Sequence, residues 1–183
     1  MTTLFWSGNF ILGKFSALFQ VPPFTLNFYR WLLVWIILFP FTFSEIKNNL
    51  LFIKSNFYIL FVLGITSISA FNSIVYYSLN FTQVINAVLM LSAIPILTLL
   101  ISNFLKIDQI KLLQVLGLCL SIFGVVIVIS KGNYEIIKNL YFNKGDLWML
   151  MAALSWSIYS AFLKKIQLPF SQFSLIQVIS TIG

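Results

Sequence analysis

Along this chain, apolar runs alternate with short polar breaks, and most runs reach the length of about 20 residues that a helix needs to cross roughly 30 Å of hydrocarbon. The first predicted span runs from about Leu4 to Val21. Pro22 and Pro23 end it, because a residue before proline is pushed out of helical geometry. It does not read as a signal peptide, having no basic leading region and no clear small-residue cleavage site. The second span covers about Phe24 to Ser44 and the third about Phe57 to Leu79. A polar break, Asn80 to Gln83, precedes the fourth, from about Val84 to Leu105, which Pro95 should kink by removing a backbone donor. The fifth covers about Leu112 to Ser130, and a linker, Lys131 to Gly145, leads to the sixth at about Asp146 to Leu163. A seventh apolar segment begins near Phe173, after Lys164, Lys165 and Pro169, and Gly183 follows before it is long enough to cross a bilayer. These runs are too long and too evenly apolar for barrel strands, which alternate over about ten residues. Backbone groups in lipid must be satisfied within the segment, so the expected fold is an all-α membrane protein, a polytopic helical bundle.

Composition agrees with that reading. Of the 183 residues, 60% are hydrophobic and 8% charged, and 20 are phenylalanine; soluble domains carry roughly 25% charge. The net charge of +7 is spread along the chain instead of forming a basic face, which argues against nucleic acid as a partner. Loop lysines that orient helices explain it better. With the N-terminus in the cytoplasm, the inner loops hold Lys47, Lys54, Lys106, Lys111, Lys164 and Lys165. Two outer loops hold no cation, while the linker carries Lys131, Lys138 and Lys144 on the less favoured side. The chain has no histidine and one cysteine, Cys119, inside an apolar run. Its four acids, Glu45, Asp108, Glu135 and Asp146, all fall in loops or at predicted helix ends. No metal, cofactor or enzyme chemistry is expected from such a set.

The sixth span resembles the first. Leu4-Phe5-Trp6-Ser7 opens one, Ala153-Leu154-Ser155-Trp156-Ser157 lies in the other, and each leads to a proline followed by an aromatic and a hydroxyl: Pro23-Phe24-Thr25 and Pro169-Phe170-Ser171. Because an odd number of spans separates the two starts, the second copy would enter the membrane upside down, as in the inverted repeats of secondary transporters. A chance sharing of Trp-Ser by two apolar helices is the alternative.

The order Trp6-Ser7-Gly8-Asn9-Phe10, Gly13-Lys14, Pro22-Pro23, Tyr29-Arg30-Trp31 resembles the start of an EamA-type domain of the drug/metabolite transporter superfamily. Tyr76-Tyr77-Ser78-Leu79, Asn86-Ala87, Ile94-Pro95-Ile96-Leu97-Thr98, Gln114-Val115-Leu116-Gly117 and Gly124-Val125-Val126 continue it. Gly145-Asp146-Leu147-Trp148, Ala152-Ala153 and Ser155-Trp156 are similar to the opening of the family's second repeat. The family places a Gly-Glu pair where this chain has Leu105-Lys106-Ile107-Asp108, with Asp108 the nearest acid. The resemblance implies ten helices in two five-helix repeats and transport of small metabolites or drugs. On that reading residues 1–130 form the first repeat, 131–145 the linker, and 146–183 the start of a second repeat whose remaining helices lie beyond this sequence or come from a partner chain.

Candidate contacts with a substrate come from polar groups inside the spans. Lys14 and Arg30 are the two cations there, at similar depth on either side of the Pro22-Pro23 turn. They could draw an anionic or zwitterionic small molecule into one cavity, or snorkel to the headgroups. Thr66, Ser69, Ser73, Tyr76 and Asn80 recur at helical spacing with Asn72 beside them, a face that either lines a pathway or packs helices. Asn9 and Asn86 are further candidates, and Trp156 and Tyr159 offer aromatic walls. Trp6, Trp31, Trp35 and Trp148 read instead as belt or lipid-facing residues. Gly117, Ser121 and Gly124 form a small-residue face suited to close helix contact or a homodimer. The functional expectation is a secondary transporter, working as an exporter of small organic molecules by alternating access in a bacterial cytoplasmic membrane. A non-transporting membrane subunit or inactive remnant is the alternative.

Overall fold

The computed structural model describes residues 2–130, 133 and 143–183, without the side chains of residues 2–6, 125, 126 and 128–130. The linker residues Lys131, Glu135 and Lys138 and the side chain of Trp6 lie outside that description. Among the described residues every regular element is helical. Four stretches, Pro23–Asn48, Phe57–Ser78, Val84–Phe104 and Lys144–Lys165, are long and apolar enough to cross a membrane.

The first helix, α1 (Thr2–Leu18), closes in a Schellman turn: Gln20 takes φ 56° while the Val21 N–H reaches the Ser16 carbonyl at 2.9 Å. Pro23 then starts α2 (Pro23–Asn48), a position where its missing N–H costs nothing. A short α3 (Leu50–Ser55) turns the chain back into the third span. That span is α4 (Phe57–Gly64), a π-helical stretch at Ile65–Phe71 and α5 (Asn72–Ser78). The fourth breaks at Ser92-Ala93 into α6 (Val84–Leu91) and α7 (Ile94–Phe104), with Pro95 in the first turn of α7, as its lost donor requires. The fifth, α8 (Leu112–Ser130), has the bounds expected from the sequence. It lies at the edge of the bundle against α6, and nothing stands within 4 Å of a side chain built at Gly117 or Gly124.

The sixth span, α9 (Lys144–Lys165), is the axis around which α4, the π stretch, α5, α6 and α7 pack. Small residues let it do so: Ala152, Ala153, Ser157 and Ala161 are buried, and Gly145 lies against the Ser78 carbonyl and the Thr82 backbone. Its N-terminus carries a capping box, Asn143 Oδ1 accepting from the Asp146 N–H and Asp146 Oδ2 from the Asn143 N–H, both at 3.0 Å. The last element, α10 (Gln172–Ile182), is capped by Ser171 and packs on α2 and α4.

The helix ends give the directions of the spans. The ammonium of Lys14, near the end of α1, donates to the carbonyls of Leu79 and Thr82 at 2.8 and 2.9 Å. The Thr82 hydroxyl donates to Asp146 at the start of α9 at 2.6 Å. The first span therefore finishes where the sixth begins, and the two run in opposite senses. At the other end Lys164 pairs with Asp108 at 2.6 Å, and Glu45 accepts from the Ser171 N–H at 2.8 Å and from its hydroxyl at 2.6 Å. Many large side chains of α2 and α8, among them Phe41, Leu113 and Leu120, point outward and are exposed, as lipid-facing residues are.

Lys106 ends α7 in the same left-handed turn, at φ 56°. A non-glycine residue pays about 1–2 kcal/mol there. Lys106→Gly is expected to raise the unfolding midpoint, by an amount worth up to about 1 kcal/mol after glycine's entropy is counted. Thermal unfolding in detergent reads it.

Candidate functional site

The third span supplies the key irregularity. Over Ile65–Phe71 the helix widens to the π form, which shifts the carbonyls away from their usual partners. Nearby polar side chains fill the gaps. Thr66 Oγ1 donates to the Val62 carbonyl and Ser67 Oγ to that of Leu63, each at 2.6 Å. Ser155 of α9 donates to the Thr66 carbonyl and Asn72 Nδ2 to that of Ser67, each at 2.8 Å. This last bond fixes the Asn72 amide, so its oxygen is presented to α2.

There it meets Arg30. The guanidinium Nη2 donates to Asn72 Oδ1 at 2.8 Å, and Nη1 donates to Asn9 Oδ1 and to the Tyr76 hydroxyl. The Tyr76 hydroxyl donates in turn to Asn9 at 2.6 Å. The Arg30 Cζ lies 5.6 Å from the centre of the Tyr76 ring and 5.4 Å from that of Trp31. Asn72 and Tyr76 are buried while Arg30 and Asn9 keep partial exposure. Every acceptor here is neutral, so the cluster keeps its positive charge.

Arg30 and Asn9 open onto a cavity of about 680 Å³, walled by Gly8, Phe10, Leu12, Trp31, Val34, Phe71, Asn72 and Trp156. The Phe71 and Trp156 rings pack at a tilt, with centres 4.5 Å apart. Arg30 is the sole charged residue among those that line it. A second space of about 680 Å³ lies across Trp31, bordered by Asn27, Trp35, Ser69, Ser73 and residues 180–183.

Four of the residues singled out from the sequence thus converge: Asn9, Arg30, Asn72 and Tyr76, with Trp156 on the same wall. Tyr159 packs at a tilt against Trp156, with ring centres 4.9 Å apart, and belongs to the apolar cluster around Leu60 and Phe170, outside the cavity lining. Lys14 is not among the residues lining the cavity; its ammonium is spent on the carbonyls of Leu79 and Thr82, just past the end of α5. Asn86 lines neither space. The hydroxyl face of the third span divides across the π stretch: Thr66 bonds back to the Val62 carbonyl, Ser69 reaches the Gly183 carbonyl, and Ser73 meets Asn27.

Sequence reasoning missed Asn27 and misplaced Trp31. Asn27 is buried, donating to Ile68 O at 2.9 Å and Ser73 Oγ at 3.0 Å, while its own oxygen finds no donor among the described residues. The buried indole nitrogen of Trp31 likewise lacks a partner there, and the ring divides the two cavities instead of facing lipid. The signal was spacing: Asn27 lies one helical turn before Arg30. Trp35 also turns inward, its indole nitrogen donating to Thr181 at 2.9 Å.

The arrangement offers binding chemistry: a fixed cation, neutral amides and aromatic walls. Comparison with known proteins points the same way. The family model described as the EamA-like transporter family matches residues 1–130. The chain is 29% identical over 158 residues to the uncharacterized transporter YyaM of Bacillus subtilis, covering 86% of this chain and 51% of that protein. It is 27% identical over 178 residues to an uncharacterized transporter of Archaeoglobus fulgidus, covering 96% of this chain and 59% of that protein. The chain therefore spans about half the length of the curated relatives it matches. No solved structure matches it. An all-helical bundle with its polar residues gathered inside, together with that match over residues 1–130, means that this chain belongs to the EamA-like transporter family.

Proposed function

We propose that the chain works in a secondary transporter that exports small organic molecules across a bacterial cytoplasmic membrane, with the cavity beside Arg30 receiving an anionic group of the substrate. One observation carries the reading. Arg30 stands inside an apolar bundle, held by Asn9, Asn72 and Tyr76, with no carboxylate among its partners in the described residues. A charge left unneutralised at membrane depth is costly, and the expense makes sense where a ligand supplies the counter-charge. The family supports transport at the coarse level, since its matched relatives carry transporter names. Residues 1–130 are read as one repeat and 146–183 as the opening of an inverted second one, which fits the opposite senses of α1 and α9. The N-terminus is placed in the cytoplasm because the ends of α2, α7 and α9 gather Lys47, Lys106, Lys164 and Lys165 on one side.

On this reading α10 is the moving part of alternating access. Trp31 stands between the two cavities, and α10 rests on α2 through Trp35 and Thr181. A shift of α10 against α2 would change which side of Trp31 is open. Counterflow in liposomes loaded with a mixture of small organic acids tests the reading. Saturable exchange that excess unlabelled acid inhibits is expected, and a leak proportional to concentration contradicts it.

A further inference from the structure

The cavity beside Arg30 restricts what kind of anion fits. Of the N–H donors of a guanidinium, both on Nη1 are engaged, by Asn9 and Tyr76, and one on Nη2 goes to Asn72. Nε and the second Nη2 hydrogen have no acceptor among the described residues. Nε and Nη2 share one edge of the planar group, the edge whose two parallel donors a carboxylate's oxygens match when Asn72 takes the outer Nη2 hydrogen. Asn9, Tyr76 and Asn72 hold the guanidinium from the remaining side, so the fork is fixed before a ligand arrives.

The rest of the lining is as informative. Phe10, Phe71, Trp31 and Trp156 provide flat apolar walls, and no acid lines the space among the described residues. The side-chain amide oxygens of Asn9 and Asn72 already take hydrogens from Arg30. A ligand ammonium would therefore find no carboxylate to pair with among the described lining residues and would lie beside a like charge, a repulsion that the aromatic faces offset only in part. The same argument disfavours a dianion, since one guanidinium balances one negative charge.

We infer that the occupant of this cavity is a monocarboxylate with an apolar, ring-sized body and no ammonium group: its carboxylate bridges Arg30 Nε and Nη2, and its body lies among Phe71, Trp31 and Trp156. The inference rests on the anion-binding reading of Arg30 and adds the selection against zwitterions.

The test uses the purified full chain in detergent and radiolabelled 3-phenylpropanoate in equilibrium dialysis, with unlabelled 3-phenylpropanoate, L-phenylalanine and phenethylamine as competitors. These share one ring and differ in charge. Binding is expected, with L-phenylalanine at least about tenfold weaker as a competitor and phenethylamine inert. Arg30→Gln should abolish it. Equal competition by L-phenylalanine would overturn the exclusion of zwitterions; if Arg30→Gln still abolished binding, the anion-binding role of Arg30 would stand. Binding that survives Arg30→Gln would overturn both. Failure of 3-phenylpropanoate to bind would overturn the inference alone if other acids show Arg30-dependent counterflow. The competition series needs no variant, so a poorly folding Arg30→Gln protein leaves it decisive.

Discussion

Arg30→Lys is expected to lower transport of an organic acid by roughly two orders of magnitude while leaving the protein inserted and monodisperse. Lysine keeps the positive charge, so a role resting on charge alone would survive the exchange. It does not keep the geometry. Arg30 reaches Asn9 and Tyr76 with one nitrogen and Asn72 with another, and a single ammonium cannot span those acceptors while offering two parallel donors to a ligand. Each charge-assisted bond lost is worth about 1.5–3 kcal/mol, and two orders of magnitude correspond to one or two of them. Initial rates of counterflow in liposomes, normalised to protein recovered, give the number. Rates within about threefold of the wild type would mean that Arg30 is a structural tie between α1, α2 and the third span.

Gly145→Val is expected to have the largest effect on folding. A side-chain carbon at position 145 would stand 2.7 Å from the Ser78 carbonyl oxygen and 2.8 Å from the Thr82 nitrogen, both backbone atoms that cannot turn aside. Relief requires moving the start of α9 away from the end of α5. That would stretch the bond from Thr82 to the buried Asp146 and disturb the capping box with Asn143. Overpacking of this kind costs about 1–3 kcal/mol, and loosening a buried carboxylate adds to it. The yield of folded protein after size exclusion should fall several-fold, and the surviving fraction should unfold at lower temperature. By contrast, Gly117→Ala meets open space, and near-normal yield is expected there.

The spans were legible because each crossing must satisfy its backbone within itself, so run length and prolines are nearly sufficient. The bounds of α8, the turn at Pro22-Pro23 and the break before Pro95 all obey that rule. The interior was legible only in part. Arg30 stood out as a cation at membrane depth, and Asn72 and Tyr76 as polar groups with no use for lipid. What the pattern could not supply was rotation. A periodicity argument assumes a constant turn per residue, and the π stretch at Ile65–Phe71 breaks that assumption midway through the predicted face. Its trace in the sequence is the cluster Thr66, Ser67 and Ser69, hydroxyls able to bond carbonyls that a widened turn releases. Lys14 misled for a related reason: depth places a cation, but only three-dimensional packing shows that the carbonyls of Leu79 and Thr82 lie within its reach. Composition reads Trp31 and Trp35 as belt or lipid-facing residues, whereas both line the cavities.

The central claim is that Arg30 faces a water-filled space with its charge uncompensated, and reagent charge tests it most directly. A cysteine replacing Val34 lies on the cavity wall, whereas one at Leu33 points outward; both would be made with Cys119 changed to serine. Two water-soluble methanethiosulfonates of similar size, one anionic and one cationic, are then compared at each position. At position 34 the anionic reagent should react about tenfold faster, the preference should vanish in Arg30→Gln, and position 33 should react with neither. A cysteine at position 34 that reacts with neither reagent, or reacts faster with the cationic one, would contradict the account.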